Sequence, residues 1–301
     1  MSLLTLIAAL LLHHFRPLSA DLLLQALQAW SGLLERNFND GQPRHGILAW
    51  GFAVLLPVLL IAGAWLLLDQ IGHLPAMLLG IAVLFLTLRP GGFAGKPETI
   101  ARALRGERLE QAREQLQAWQ GDATESFSAP QVARVGIETT LLRAHHEVFA
   151  PILWFILLGP AGALLYRLSD LLRREWAGIP GFGDFSRRAF AWLDWLPARF
   201  TAGAFAIMGD FEDAVFCWRT QAATWPEAAA GMILASGAGA LGVRLGEPLQ
   251  QGGQPVYRPE LGIGDDADAD YLESSIGLVW RVLVLILGVL LLLTFAHWLG
   301  N

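Results

Sequence analysis

Late in an otherwise apolar chain, charged side chains recur in three short clusters whose residue types could do chemistry. The run Asp194-Trp195-Leu196-Pro197-Ala198-Arg199 sets an acid and a base inside an apolar stretch. Charges at membrane depth are costly, so they face a cavity or one another. The pair reads either as part of a functional site or as a mutual contact at the lipid interface, with Trp195 in the aromatic belt. Gly209-Asp210-Phe211-Glu212-Asp213, followed by Trp218-Arg219, adds carboxylates and a guanidinium. Such carboxylates suit Mg²⁺, which takes a few protein oxygens and completes its shell with phosphate; a solvated helix start uses the same residues. In the third cluster, Trp225-Pro226-Glu227 opens an uncharged run, 228–243, rich in Gly, Ala and Ser, which Arg244 closes. Small residues serve close helix packing, or a loop whose amides face an anion. A phosphate site bracketed by Glu227 and Arg244 and a purely packed segment both fit this composition.

Other familiar motifs fail on spacing. Gly91-Gly92-Phe93-Ala94-Gly95-Lys96-Pro97 has too few residues between its glycines for a phosphate loop, and proline follows the lysine. Gly181-Phe182-Gly183 lacks the third glycine of a dinucleotide fingerprint. His145-His146-Glu147 matches no zinc-protease pattern, and neighbouring side chains on a helix point about 100° apart, which disfavours one shared metal. The single cysteine, Cys217, excludes an internal disulfide and a cysteine-rich metal site, and reads as a small core residue. A net charge of −6 argues against nucleic acid as a partner, because phosphate binding needs clustered Lys and Arg.

The elements that must position these clusters are apolar. Of 301 residues, 54% are hydrophobic and only 16% charged, against about 25% in an ordinary soluble domain. Mean hydropathy is +0.45. Residues 47–68, 71–88, 148–166 and 282–300 are long enough, or nearly so, to cross a bilayer. Residues 2–15 are short, and 189–209 are interrupted by Asp194 and Arg199. The first stretch lacks a basic lead and an A-x-A cleavage site, so an uncleaved span is expected. The expectation is an all-α, polytopic helical membrane protein with four to six spans and a cytoplasmic helical segment.

Lys and Arg set the orientation. Nothing basic precedes Arg16 or follows Arg281, whereas 16–46 and 89–146 are rich in arginine and belong in the cytoplasm. Arg167, Arg173, Arg174, Arg187 and Arg188 would then fall outside, unless 148–166 is a re-entrant hairpin broken at Gly159-Pro160. Residues 97–120 carry an apolar stripe at helical spacing, with Gly106 separating two shorter helices. Residues 178–184 and 249–270 are loops, the second ending in an acidic run from Gly264 to Asp270. The segments are thus 1–96 (membrane spans), 97–146 (cytoplasmic helices), 147–209 (central membrane region), 210–275 (polar and small-residue-rich candidate site) and 276–301 (terminal span).

Ordered blocks after about Pro97 resemble the CobD/CbiB family of membrane proteins from cobalamin biosynthesis. Val148 to Phe155 with Gly159 to Arg167 looks like the family's "APLFW … GGAPGALLYR" block. Trp195 to Arg199 resembles "NWLPAR", and Pro226 to Ala229 with Gly239 to Gly246 resembles "PEAAMAGALGVRLGG". Gly262-Ile263-Gly264-Asp265, with Trp280-Arg281 downstream, is similar to "GDG … LLWR". At the family's N-terminal "GDP … HPV" position stands Asp40-Gly41-Gln42-Pro43-Arg44-His45, and at its acidic string stand Glu138-Thr139-Thr140 and Arg143 to His146. The resemblance implies an ATP- and Mg²⁺-dependent ligase of the bacterial inner membrane. It would join adenosylcobyric acid to an aminopropanol phosphate, giving adenosylcobinamide phosphate, with a corrinoid and an amino-alcohol phosphate as substrates and lipid as surroundings. On that reading Arg199, Arg244 and Arg219 bind phosphate or substrate. Glu138, Glu227 and Asp265 are the acid–base candidates, and Glu227 and Asp265 also the Mg²⁺ candidates. The alternative is AmpE, a non-catalytic regulator of β-lactamase induction, which shares a short apolar start and a block like Leu193 to Arg199. A small transporter is weaker still, because no inverted repeat is visible.

Overall fold

The computed structural model describes residues 2–15, 21–39, 43–90, 93, 95–252 and 254–300. Arg16, Asp40 to Gln42, and Gly91, Gly92 and Ala94 of the phosphate-loop look-alike lie outside the described residues. The chain is helical almost throughout. In order come α1 (Ser2–Phe15), α2 (Asp21–Phe38), α3 (Pro43–Trp50), α4 (Leu56–Ile71), α5 (His73–Thr87), α6 (Gly95–Arg105), α7 (Leu109–Gln120), α8 (Ala129–Ala144), α9 (Ala150–Glu175), α10 (Asp184–Met208), α11 (Phe211–Gln221), α12 (Ala228–Leu241) and α13 (Ala269–Gly300). The sheet found among the described residues is one short antiparallel pair, β1 (Leu249–Gln251) and β2 (Gln254–Val256). Three helical stretches are long and apolar enough to cross a membrane: Arg44–Ile71, Ala129–Glu175 and Ala269–Ala296. Leu3–His13, His73–Thr87 and Ala228–Leu241 are shorter apolar helices. This is a helical membrane protein.

Two compact units are each built from discontinuous segments: Met1–Arg89, His146–Pro197 and Leu290–Asn301 form the first, Pro90–His145 and Ala198–Val289 the second. In the first unit α5 follows α4 after the single residue Gly72, and α1, α4 and α9 pack on α5. Gly80 lets α1 approach, since a Cβ there would lie 3.0 Å from the Thr5 methyl. No residue of α4 is buried, and Leu59, Leu60, Leu66 and Leu67 are each more than half exposed, as a lipid-facing helix requires.

The central apolar block is a hairpin. At Gly159 the backbone leaves helical space (φ 66°, ψ −155°), a region essentially reserved for glycine. Pro160 then starts a new helical direction, having no N–H for the old one. The two limbs close on each other: a Cβ at Gly162 would lie 2.2 Å from the Trp154 carbonyl oxygen. Ala150 and Tyr166 accordingly share one core cluster with Phe190, and the Trp154 indole donates to the Leu193 carbonyl at 3.2 Å. The chain thus breaks at Gly159-Pro160 as expected, and 148–166 is a helical hairpin and not one straight helix. The amide of Arg89 donates to the carbonyl of Glu147 at 3.1 Å, which sets the end of α5 beside the start of the hairpin.

In the second unit α8 is the central element, buried along most of its length, with α6, α7 and α12 around it. Its start is secured by a capping box in which Ser128 and Gln131 satisfy each other's amides. Gly106 falls between α6 and α7, as its position in the stripe predicts. The small residues of α12 do pack: a Cβ at Gly239 would sit 2.4 Å from the Asp213 carbonyl oxygen on α11, and the Ser236 hydroxyl donates to Ala202 on α10 at 2.7 Å. Composition allowed either a helix or an amide-lined loop over 228–243, and close packing selects the helix.

Candidate functional site

Glu138 lies on α8 one turn after Arg134, so both side chains leave the same face. Opposite them runs the return of the chain after α12. Gly242 ends that helix in the left-handed conformation (φ 67°), and the chain turns back. It is held by a parallel bridge between Val243 and Asp265 and an antiparallel one between Leu245 and Leu261. The Arg244 amide donates to the Asp265 carbonyl at 2.9 Å, and the Asp265 amide to the Gly242 carbonyl at 3.2 Å. Arg244 and Asp265 are thus neighbours on one loop platform.

Buried charges fix this platform to α8. The Glu138 carboxylate, 5% exposed, accepts from the Gly246 amide at 2.8 Å and from the Arg258 guanidinium at 2.6 Å. The Gly246 carbonyl accepts from Arg258 at 3.0 Å and from Arg134 at 3.2 Å. Arg134 also pairs with Glu247 at 2.5 Å, so the quartet is neutral. The Arg258 guanidinium lies 5.5 Å from the Trp225 ring centre, in cation–π range. On the other edge, the Gln221 side chain brackets the Gly262 peptide, accepting at 2.6 Å and donating at 3.2 Å.

The polar edge of the platform is where a ligand could be met. Arg244 is half-buried; one nitrogen pairs with Asp266 at 2.8 Å, and its buried Nε has no partner in the structure. Asp265 is exposed and accepts the Tyr271 hydroxyl at 2.9 Å on one oxygen. Arg105 of α6 grips both Asp270 and Glu273 at the start of α13, and these carboxylates hold its guanidinium pKa above the ordinary arginine value, Glu273 first. The platform and the α6–α7 segment therefore share one end of the unit.

The predicted residues divide. Glu138, Arg244 and Asp265 come together on the platform. Glu227 is the exposed residue ahead of α12, whereas Arg244 follows its far end, and a helix of that length spans about 20 Å. They do not bracket one anion site. Arg219 is exposed in the last turn of α11, and Arg199 is half-buried on α10, two residues before Thr201, whose hydroxyl meets His145 Nδ1 at 2.8 Å. Among the described residues neither Glu227 nor Asp265 joins a group of three or more His, Cys, Asp or Glu able to share a metal. A cage made wholly of protein ligands does not fit Mg²⁺ here. A single open carboxylate meeting a cation already held by phosphates does fit.

A family model described as CobD/Cbib protein matches residues 15–279. The chain belongs to the CobD/Cbib family. The cobalamin biosynthesis protein CobD of Stutzerimonas stutzeri is 38% identical over 275 residues, covering 88% of each chain. That of Chromobacterium violaceum is 35% identical over 243 residues, 77% of this chain and 75% of its own. That of Brucella suis is 25% identical over 285 residues, 85% and 84% respectively. No solved structure matches the chain. The AmpE-like regulator finds no support in these comparisons. The family-like blocks now have places: Gly159 to Arg167 is the returning limb of the hairpin, Gly239 to Gly246 the reversal after α12, and Gly262 to Asp265 the facing edge of the platform.

Sequence reasoning missed several residues that the structure engages. Arg134 carried a usable signal, its spacing of four from Glu138. Arg258 and Gln221 carried none, since their partners are distant in sequence. In the first unit, buried Asp170 was also missed; it pairs with Arg173 at 2.9 Å and Arg174 at 2.8 Å.

Proposed function

We propose that this chain is an adenosylcobinamide-phosphate synthase of the bacterial inner membrane, forming the amide between the carboxylate of adenosylcobyric acid and the amine of an aminopropanol phosphate at the expense of ATP. The observation that carries the reading is the family match over 15–279, with relatives named for cobalamin biosynthesis. The platform suits the chemistry. ATP with Mg²⁺ supplies the phosphoryl group that turns a poor acyl donor into a competent one. Arg244, half-buried with its tip at the polar edge beside Asp265, would bind a phosphate oxygen. Asp265, the open carboxylate on the same platform, would meet a cation held by those phosphates or take the proton that the ammonium substrate must lose before it attacks. The platform faces the cytosol, where ATP is, because it shares an end with the arginine-rich α6–α7 segment.

The test is synthesis by the full-length protein in lipid nanodiscs, supplied with adenosylcobyric acid, aminopropanol phosphate, ATP and Mg²⁺, together with rescue of a strain lacking the cobinamide-forming step. Product from wild type and its loss in Arg244→Ala support the reading. Absence of both product and rescue by wild type refutes it, and unchanged activity of Arg244→Ala removes the phosphate site.

A further inference from the structure

Glu138 is the predicted acid–base residue that the fold has already occupied. Its carboxylate is buried on α8 and engaged at 2.8 Å by the Gly246 amide and at 2.6 Å by Arg258. Buried and committed to these two partners, the side chain is placed to hold the loop to α8 and not to meet substrate. We infer that Glu138, Arg134 and Arg258 are positioning residues: they hold Gly246 by its N–H and by its carbonyl, and so keep Arg244 and Asp265 in working register.

Every element of the grip bears on one residue, through the two peptide groups that flank its Cα. Glu138 takes the Gly246 N–H, while Arg134 and Arg258 both donate to its carbonyl. The position admits only glycine, because φ is +77° and a Cβ would sit 1.9 Å from the Pro259 carbonyl oxygen. From Gly246 the constraint passes through the paired bonds of Leu245 with Leu261, at 2.7 and 2.9 Å, to the Arg244–Asp265 bond at 2.9 Å. Trp225 under Arg258 limits rotation of that guanidinium. Removing the Glu138 charge should therefore loosen substrate handling by Arg244 without deleting a proton-transfer group.

This inference rests on the proposed synthase reading, and its experiment separates the two. Wild type, Glu138→Gln and Arg258→Lys are compared as full-length protein in nanodiscs, by steady-state kinetics across pH and by amide hydrogen exchange of the peptides covering 242–247. Both variants are expected to raise KM for aminopropanol phosphate about tenfold, the scale of one lost charge-assisted hydrogen bond, and to speed exchange at 245–246. The shape of the kcat–pH profile should stay that of wild type. A Glu138→Gln variant that loses the acidic limb of that profile, with KM and exchange unchanged, overturns the inference and makes Glu138 a proton carrier. Should wild type form no product, the synthase reading fails. Exchange then decides the grip alone, and wild-type protection in both variants overturns it.

Discussion

The imidazole Nδ1 of His146 lies 2.9 Å from the phenolic oxygen of Tyr166, although the two residues stand 20 apart in sequence. In a straight helix that separation is about 30 Å, so the contact exists only because the chain doubles back at Gly159. Tyr166 donates onward to the buried Asp194 at 2.7 Å, and Arg173 lies 3.3 Å from the other ring nitrogen of His146. With the hydroxyl proton given to Asp194, the Tyr166 oxygen is left to accept from an Nδ1–H of His146, and Nε2 faces Arg173.

The hairpin returns Arg167, Arg173 and Arg174 to the end from which it started, beside Glu147 and Arg89. Single cysteines at Arg89→Cys and Ala177→Cys, in a Cys217→Ala background, should both react with an impermeant maleimide from the cytosolic side of oriented vesicles. Labelling of the two from opposite sides would show a crossing helix instead.

Reversal depends on two glycines for different reasons. Gly159→Ala forces a side chain into a glycine-only backbone region and should cost about 1–3 kcal/mol. Gly162→Val drives atoms into the Trp154 carbonyl. Both should lower the thermal midpoint in detergent, followed by the loss of monodisperse protein on heating. Gly63→Ala on α4, where a Cβ meets nothing within 4 Å, should leave it unchanged or raise it.

Tyr166→Phe keeps the ring and deletes the link. Asp194 and His146 each lose one hydrogen-bond partner, at a cost of about 1–2 kcal/mol. Thermal melts of the variant and of Asp194→Asn, singly and together, give the coupling. If the two effects simply add, the hydroxyl bond contributes nothing.

Burial, with the charge of Asp213 as a lesser cause, pushes the Cys217 thiol from 9.0 to about 11. The folded protein should resist an aromatic disulfide reagent at neutral pH and react promptly once denatured. Folding holds the neutral thiol more tightly than the unfolded chain does, so this stabilisation is intact below pH 9 and fades between there and about 11. Rapid titration of the native protein at neutral pH would contradict the buried placement.

What was readable in the sequence follows from what the surroundings impose. Lipid accepts only apolar side chains, so the spans announce themselves, and Gly159-Pro160 marked the break through the backbone limits of those two residues. The run over 228–243 was not decidable, because glycine, alanine and serine suit a tight helix contact and an anion-binding loop equally. The role of Glu138 was beyond reach: its partners Gly246 and Arg258 lie 108 and 120 residues away, and no local pattern encodes such a meeting. Glu227 and Arg244 misled for the converse reason, since proximity in sequence was bridged by a rigid rod.

The exposed leucines of α4 and the enclosed glycines and alanines of α12 also forecast how these helices should drift over evolutionary time. Where the neighbour is a fluid acyl chain, any greasy side chain serves, and Leu, Ile, Val and Phe should interchange freely along α4. Along α12 the neighbours are fixed backbone atoms, so even one added methyl at Gly239 ought to be purged, and relatives should keep that helix nearly letter for letter while rewriting the other.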